Sequence, residues 1–144
     1  MYMDFDTQVC GTGQTVSDGT AVASTHYLDL GVALKPTDMQ WIVKASALVA
    51  GAADGTLLVT VEAATDTGFT SPIEVARRSY AYGAGHATGH AGKALLHIHC
   101  PAMPGYRYYR LKFDLGGTST IGGVFVASVI VGRQDSIDNL SDKH

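Results

Sequence analysis

The feature that most constrains the fold is a strict alternation of apolar and polar side chains that begins at residue 109. The apolar members are Tyr109, Leu111, Phe113 and Leu115, and the polar members between them are Arg110, Lys112 and Asp114. Successive side chains of a β-strand point to opposite faces, so this pattern predicts a strand with one face on a core and the other in water. A Pro-Gly pair precedes this strand and a Gly-Gly pair follows it, as is typical of turns.

Other segments show the same kind of pattern, and no amphipathic helical pattern of useful length is present. The further predicted strands include residues 22–30, 40–48, 56–64, 73–80, 93–100 and 122–131. About eight strands, separated by turns rich in glycine, proline and aspartate, indicate an all-β fold. We predict a two-sheet antiparallel sandwich, with the jelly roll as the favoured topology.

The length of 144 residues predicts a single domain with additions at its ends. Residues 1–20 combine glycines with polar residues and are predicted to form an N-terminal arm. Residues 21–134 form the predicted jelly-roll domain, and residues 135–144 form a polar C-terminal tail. Residues 122–131 are almost continuously apolar, which predicts a strand buried on both faces.

Composition narrows the classes of partner. Charged residues make up only 16% of the chain and hydrophobic residues 46%, a balance that indicates a subunit of a permanent assembly. The net charge of −3 argues against nucleic acid as a partner, because few phosphates could be neutralised. No run of about 18 apolar residues is present, so we expect no membrane span. The two cysteines, Cys10 and Cys100, are too few for a disulfide scaffold and are typical of a reducing cytoplasm.

Four of the six histidines lie between residues 86 and 99, which suggests a metal site. His97 and His99 would share one face of a strand, as the paired histidines of metal-binding cupins do. Such a site also needs a carboxylate soon after the pair and a histidine on a later strand, and neither follows here. We therefore expect no metal, no other cofactor, no catalytic residue and no enzyme activity. A cupin-like metal-binding enzyme is an alternative if the loop that carries His86 and His90 folds over the sheet.

Four segments, taken in order, resemble the small capsid cement (decoration) proteins of tailed phages. Residues 25–31 contain the Asp-Leu-Gly that ends a strand in those proteins, and residues 61–70 are similar to the connection that follows a strand. Residues 104–111 resemble their Pro-Gly turn and the aromatic strand after it, with the order shifted, and residues 127–134 resemble their last strand. The match is collinear over most of the chain. The His-rich loop of residues 82–92 and the C-terminal tail depart from it.

The resemblance implies a jelly roll without catalysis that associates with itself, as a homodimer or homotrimer, and binds the major capsid protein. It further implies a place on the outer capsid surface of the virion, after assembly in the cytoplasm of a bacterial host. The candidate interface residues are Tyr2, Phe5, Val9, Tyr82, His86, His90, Tyr106 and Arg107. Tyrosines at the bases of loops also leave an alternative, a carbohydrate- or receptor-binding jelly-roll module of a phage tail or fibre.

Overall fold

The computed structural model describes residues 13–17, 21–31, 37–49, 55–82, 94–117 and 122–133. The strands in chain order are β1 (Gln14–Ser17), β2 (Val22–Ala23), β3 (Leu28–Asp29), β4 (Thr37–Val49), β5 (Gly55–Ala64), β6 (Ile73–Tyr82), β7 (Ala94–Pro101), β8 (Tyr108–Gly117) and β9 (Gly122–Arg133). The described part of the chain contains no helix, and so none that is long and apolar enough to cross a membrane.

The strands form two antiparallel sheets that face each other. One sheet has the order β1-β9-β4-β7, and the other has the order β2-β8-β5-β6, with β3 also paired to β8. The predicted all-β, two-sheet antiparallel sandwich is confirmed. The pairs are nested along the chain: β1 with β9, β2 and β3 with β8, β4 with β7, and β5 with β6. This nesting is compatible with a jelly roll.

The core lies between the sheets and is built from the inward faces of the alternating strands. Its largest fully buried side chains include Trp41, Tyr109, Phe113 and Phe125. Phe113 of β8 and Phe125 of β9 stack across the sandwich, with ring centroids 5.5 Å apart and an interplanar angle of 10°. Each buried ring stabilises the fold by about 2–3 kcal/mol. The predicted alternation from residue 109 to residue 115 is confirmed, since its apolar members are buried.

The predicted strand over residues 22–30 is interrupted, and the interruption brings Tyr27 to the surface. Ser24 pairs with Leu111 in an irregular way: its N–H donates to Leu111 O at 2.7 Å, and its hydroxyl accepts from Leu111 N–H at 3.2 Å. The pairing resumes where Leu28 of β3 lies opposite Tyr109, which is only two residues from Leu111 on β8. Leu28 is four residues from Ser24, so the residues between Ser24 and Leu28 bulge outward. His26 and Tyr27 are therefore exposed, whereas a continuous strand over residues 22–30 would place His26 on the same face as the buried Leu28.

β1 lies inside residues 1–20, the segment predicted to be an arm. Val16 of β1 is fully buried, so this part of the segment belongs to the sandwich. The side chain of Gln14 joins the two sheets, because its Nε2 donates to Ala23 O at 2.6 Å and its Oε1 accepts from Thr25 N–H at 2.9 Å. The rest of the predicted arm and the whole predicted tail lie outside the described residues.

β9 is buried on one face rather than on both. Phe125, Ala127 and Val129 point into the core and are fully buried. The side chains that alternate with them, including Val126 and Ile130, are half-buried on the outer face of the four-stranded sheet. Within the described residues, the prediction of burial on both faces therefore holds for the inward face alone.

Candidate contact site at one end of the sandwich

Three chain segments meet at one end of the sandwich: the bulge before β3, the β5–β6 connection and the β7–β8 connection. The backbone of Arg107 joins them, because its N–H donates to Ala64 O at 3.2 Å and its carbonyl accepts from Leu30 N–H at 3.0 Å. We call the side chains gathered here the end cluster: Tyr27, Asp29, Phe69, Arg107, Tyr108 and Arg110.

A Pro-Gly turn positions Arg107. Tyr106 N–H donates to Met103 O at 3.2 Å, and Gly105 has a φ of 84°, the values expected of a type II turn with glycine at its third residue. The hydroxyl of Tyr109 accepts from Met103 N–H at 2.7 Å, which ties the turn to the first residues of β8. Burial raises the pKa of Tyr109, so the hydroxyl stays protonated and can donate to the Met103 carbonyl oxygen, 3.3 Å away.

Arg107 is paired with Asp29 in a bidentate arrangement. Its Nε lies 2.6 Å from Asp29 Oδ1, and its Nη2 lies 2.9 Å from Asp29 Oδ2. Asp29 Oδ1 also accepts from Gly31 N–H at 2.7 Å, where Gly31 adopts a φ of 64°. The hydrogen bonds from Arg107 hold the pKa of Asp29 below its ordinary value. Both side chains are exposed, so the pair presents an oriented guanidinium group at the surface.

The aromatic side chains of the end cluster hold Tyr27 in a defined orientation. The ring of Tyr27 packs edge-on against Tyr108, with centroids 5.6 Å apart and planes at 90°. It also lies 6.0 Å from the ring of Phe69, at 57°. The guanidinium carbon of Arg107 lies 5.1 Å from the centroid of Tyr108, within the range of a cation–π contact. Tyr27 nevertheless remains 42% exposed, so an aromatic ring lies at the surface in a fixed orientation.

Phe69 adopts a backbone conformation that is rare for a residue with a side chain. Its φ is 49°, and its side chain is only 6% exposed. Asp66 stabilises this turn: its carboxylate accepts from Thr70 N–H at 3.0 Å, and its carbonyl accepts from Phe69 N–H at 3.3 Å. Phe69 is therefore buried within the β5–β6 connection, at the end of the sandwich. A strained residue held by its surroundings is typical of functional sites.

Glu62 links the end cluster to the outer face of the five-stranded sheet. Its carboxylate lies 2.9 Å from Arg110 Nε and 3.6 Å from Lys112 Nζ, and the residue is only 8% exposed. Arg110 also lies over the ring of Phe69, with Cζ 4.2 Å from the centroid. The guanidinium group of Arg110 is therefore fixed from two sides, by a carboxylate and by an aromatic ring.

The end cluster has the chemistry of a protein contact surface. Tyrosine, arginine and methionine are enriched where proteins bind one another, because they offer large contact areas and directional hydrogen bonds. Tyr27 and Met103, which is 38% exposed, are the large apolar side chains that stand out on the described surface. Because hydrogen bonds and ring packing hold Tyr27 and Arg107, little side-chain entropy would be lost on binding.

The structure describes two of the predicted interface residues in full. Arg107 lies in the end cluster, and Tyr106 beside it is half-buried and packs against the core. Tyr82 ends β6, but its side chain lies outside the described residues. The other five predicted interface residues also lie outside them: Tyr2, Phe5, Val9, His86 and His90.

The two candidate metal ligands on β7 face outward. His97 and His99 are exposed, and Nδ1 of His97 lies 3.1 Å from Nε2 of Gln40 on β4. A hydrogen bond at that distance occupies one of the two ring nitrogens through which His97 could bind a metal. Across the described segments, no three histidine, cysteine or acidic side chains are grouped to hold a metal ion. The expected absence of metal-dependent enzyme activity stays a prediction.

Sequence reasoning did not assign Tyr27 and Arg110 to a site. Tyr27 was missed because residues 22–30 were treated as one continuous strand. A signal was present: that assignment puts the polar residues Ser24 and His26 on the same face as the apolar residues Val22, Leu28 and Leu30. Arg110 was treated as one of several solvated strand residues, and its place over Phe69 depends on the pairing of β5 with β8.

The fold and the end cluster together define an all-β sandwich with a preorganised group of aromatic and charged side chains at one end. No protein-family model matches the chain, and no curated protein matches it either.

Proposed function

We propose that the chain is a structural subunit of a tailed-phage virion, a capsid cement protein on the outer surface of the shell. It associates with itself and binds neighbouring copies of the major capsid protein. In this proposal it has no catalytic role and binds neither nucleic acid nor membrane, and it is assembled onto the shell in the cytoplasm of the bacterial host.

One observation supports this proposal above the others. Three of the four segments that resemble cement proteins, residues 25–31, 61–70 and 104–111, lie far apart in sequence but meet in the end cluster. The residues that carry the resemblance have clear roles there, with Asp29 holding Arg107 and Phe69 supporting Arg110. A resemblance whose segments meet at one end of the sandwich is a reason to expect a shared use of that end.

The physical mechanism would be mass action. A subunit that binds the assembled shell but not its separate parts stabilises the shell, by an amount that grows with subunit concentration. Self-association multiplies the effect, because once one site of an oligomer is bound the next binding step is intramolecular. Arg107 and Tyr27 would supply the directional and apolar parts of each contact with the shell protein.

Co-sedimentation with empty capsids of the corresponding phage tests the proposal. We expect the wild-type chain to pellet with capsids, and Tyr27→Ala and Arg107→Ala each to weaken binding at least about tenfold. Arg77→Ala is the matched control, because Arg77 is also an exposed arginine with a carboxylate partner, but it pairs with Glu74 on β6, away from the end cluster. A wild-type chain that stays in the supernatant at every concentration would refute the proposal.

A carbohydrate- or receptor-binding module is the second candidate, and the exposed ring of Tyr27 favours it. Sugars stack on exposed aromatic rings, and Tyr27 is fixed by Tyr108 and Phe69 in a way that would suit stacking. Binding of the chain to immobilised host-surface glycans, lost in Tyr27→Ala, would favour this alternative over the cement role.

A further inference from the structure

The outer faces of the two sheets differ in their chemistry. The outer face of the five-stranded sheet is rich in charge, and its charged residues are Asp29, Glu62, Glu74, Arg77, Arg110, Lys112 and Asp114. The outer face of the four-stranded sheet has an apolar centre on its two middle strands, formed by Ile42, Val126 and Ile130. The charged side chains described on this second face are Asp38 and Lys44, both on β4.

The members of the apolar centre are diagonal neighbours on β4 and β9, because the strand register pairs each of them with a polar residue. Val126 lies opposite Lys44, Ile130 lies opposite Gln40, and Ile42 lies between these two pairs, opposite Ser128. All three apolar side chains are half-buried by their neighbours. The other sheet covers the inner face of β4 and β9, and these side chains lie on the outer face. On the outer face of β9, Val126 and Ile130 flank one polar residue, Ser128, and a strand that is mostly apolar on both faces is typical of a strand covered on both faces.

We infer that a second copy of this chain docks on this face, so that the two four-stranded sheets stack against each other. The inference rests on the proposed function, of which self-association is one part, and it names the surface that the copies share.

Charge complementarity identifies the occupant as a second copy. Asp38 and Lys44 are six positions apart on β4 and both point outward, on either side of the apolar centre, about 20 Å from each other. When a two-fold axis lies between the two stacked sheets and is perpendicular to their strands, each strand of one copy runs opposite to the same strand of the other copy. Asp38 then comes opposite the partner's Lys44 at both ends of the interface. Neither residue forms an ion pair with another described residue of its own chain.

The area of the face is sufficient for such a pair. At about 3.3 Å per residue and 4.8 Å between strands, the outer face of the four strands covers about 600 Å² per copy. A stacked pair would bury about 1,200 Å² in total, which reaches the range of stable specific protein interfaces. Its apolar centre and charged margins have the arrangement that such interfaces usually show.

The first test compares two substitutions that introduce a carboxylate on opposite faces of the free protein. Ile130→Glu places a charge opposite the neutral Gln40, without a basic partner, inside the inferred interface and is expected to raise the dissociation constant of the dimer at least about a hundredfold. Leu58→Glu is the matched control, because Leu58 is a half-buried, outward-facing apolar residue in the middle of the other sheet. Sedimentation velocity and light scattering over about a hundredfold range of concentration give the mass. Thermal unfolding by circular dichroism confirms that each variant is folded.

The second test reverses the charges and does not disturb the apolar centre. Asp38→Lys places a lysine opposite the partner's Lys44, and Lys44→Asp places two carboxylates opposite each other, so each is expected to weaken the dimer roughly tenfold. The double variant Asp38→Lys with Lys44→Asp restores opposite charges and should return the wild-type dissociation constant. Rescue in the double variant supports the inferred orientation, and its failure overturns it.

Co-sedimentation with capsids separates this inference from the proposed function. A chain that dimerises through this face but ignores capsids supports the inference and refutes the cement role. A wild-type chain that is monomeric at all concentrations overturns the inference, because the face then has another occupant, such as the shell protein or a segment of the chain outside the described residues. A dimer that Ile130→Glu leaves intact overturns it as well.

Discussion

The guanidinium group of Arg110 lies over the ring of Phe69, with Cζ 4.2 Å from the ring centroid. The backbone of Phe69 has a φ of 49° at this contact. A buried phenylalanine in a left-handed conformation is a local conflict between backbone preference and side-chain packing. In this structure the stabilisation from burying the ring outweighs the cost of the backbone conformation. The effects of both on the free energy of unfolding can be measured.

Substitution of Phe69 should reverse the usual ranking of alanine and glycine. Phe69→Ala removes the ring and keeps the strained backbone, so it should lower the free energy of unfolding by about 3 kcal/mol. Phe69→Gly removes the same ring but relieves the strain, and it should be less destabilising than alanine by about 1 kcal/mol. Urea denaturation of the variants gives both values. Glycine less stable than alanine would contradict the role assigned to the backbone conformation.

The two carboxylates Glu62 and Glu74 should differ in their contribution to stability. Glu62 is nearly buried between Arg110 and Lys112, so Glu62→Gln should destabilise the fold by about 1–2 kcal/mol, since it leaves a partly buried guanidinium without its carboxylate. Glu74 pairs with Arg77 on an exposed strand face, and Glu74→Gln should change stability by less than about 0.5 kcal/mol. Equal effects in denaturant unfolding would show that burial does not decide the strength of these pairs.

The Asp29–Arg107 pair makes the end cluster sensitive to acid. The pKa of Asp29 is lower in the folded chain than in an unfolded one, so the pair stabilises the fold above the ordinary carboxylate pKa. This contribution is lost as the pH falls through the lowered pKa of Asp29. An NMR titration of the Asp29 carboxyl group should give a value below that of a model aspartate.

Arg107→Gln is the control for that titration. It should move the pKa of Asp29 back toward its ordinary value, because the largest cause of the shift is the pair of hydrogen bonds from Arg107. The hydrogen bond from Gly31 should keep part of the shift. A pKa of Asp29 that is unchanged in this variant would contradict the assignment.

Cys100 should report opening of the sandwich. Its thiol is buried beside Trp41, and burial raises its pKa, so little thiolate is accessible at neutral pH. In a Cys10→Ser background, a disulfide reagent should react with folded protein at least about a hundredfold more slowly than with urea-unfolded protein. Rapid stoichiometric labelling of the native chain would contradict the burial of β7 against the core.

Local patterns were sufficient where one strand face meets the core. The series from Tyr109 to Leu115 predicts its own burial, because period-2 alternation is a direct result of strand geometry. Strict alternation along residues 93–100 would place Ala94 on the same face as the buried Leu96, but Ala94 is exposed. A register shift between Val43 and Lys44 on β4 moves Ala94 out of the alternation, and no pattern within β7 indicates it.

The end cluster could be predicted only in part, for a similar reason. Its separate pieces are visible in sequence as a Pro-Gly turn, an Asp-Leu-Gly segment and a lone phenylalanine among turn residues. Their convergence depends on which strands are neighbours, and pairing between distant segments is not encoded in local periodicity. Arg107 was predicted as a contact residue from its place beside the turn, whereas its partner Asp29 required the three-dimensional structure.

The amide of Gln14 gives the sandwich a mechanical connection between its first strand and its contact surface. The side chain bridges from β1 to the carbonyl of Ala23 and to the amide of Thr25, which begins the bulge that carries Tyr27. A pull on the chain ahead of β1 would load these hydrogen bonds together with the β1–β9 pairing, which begins at the same residue, opposite Phe125. Tension applied at the N-terminal side of the subunit would therefore be transmitted to the orientation of the Tyr27 ring.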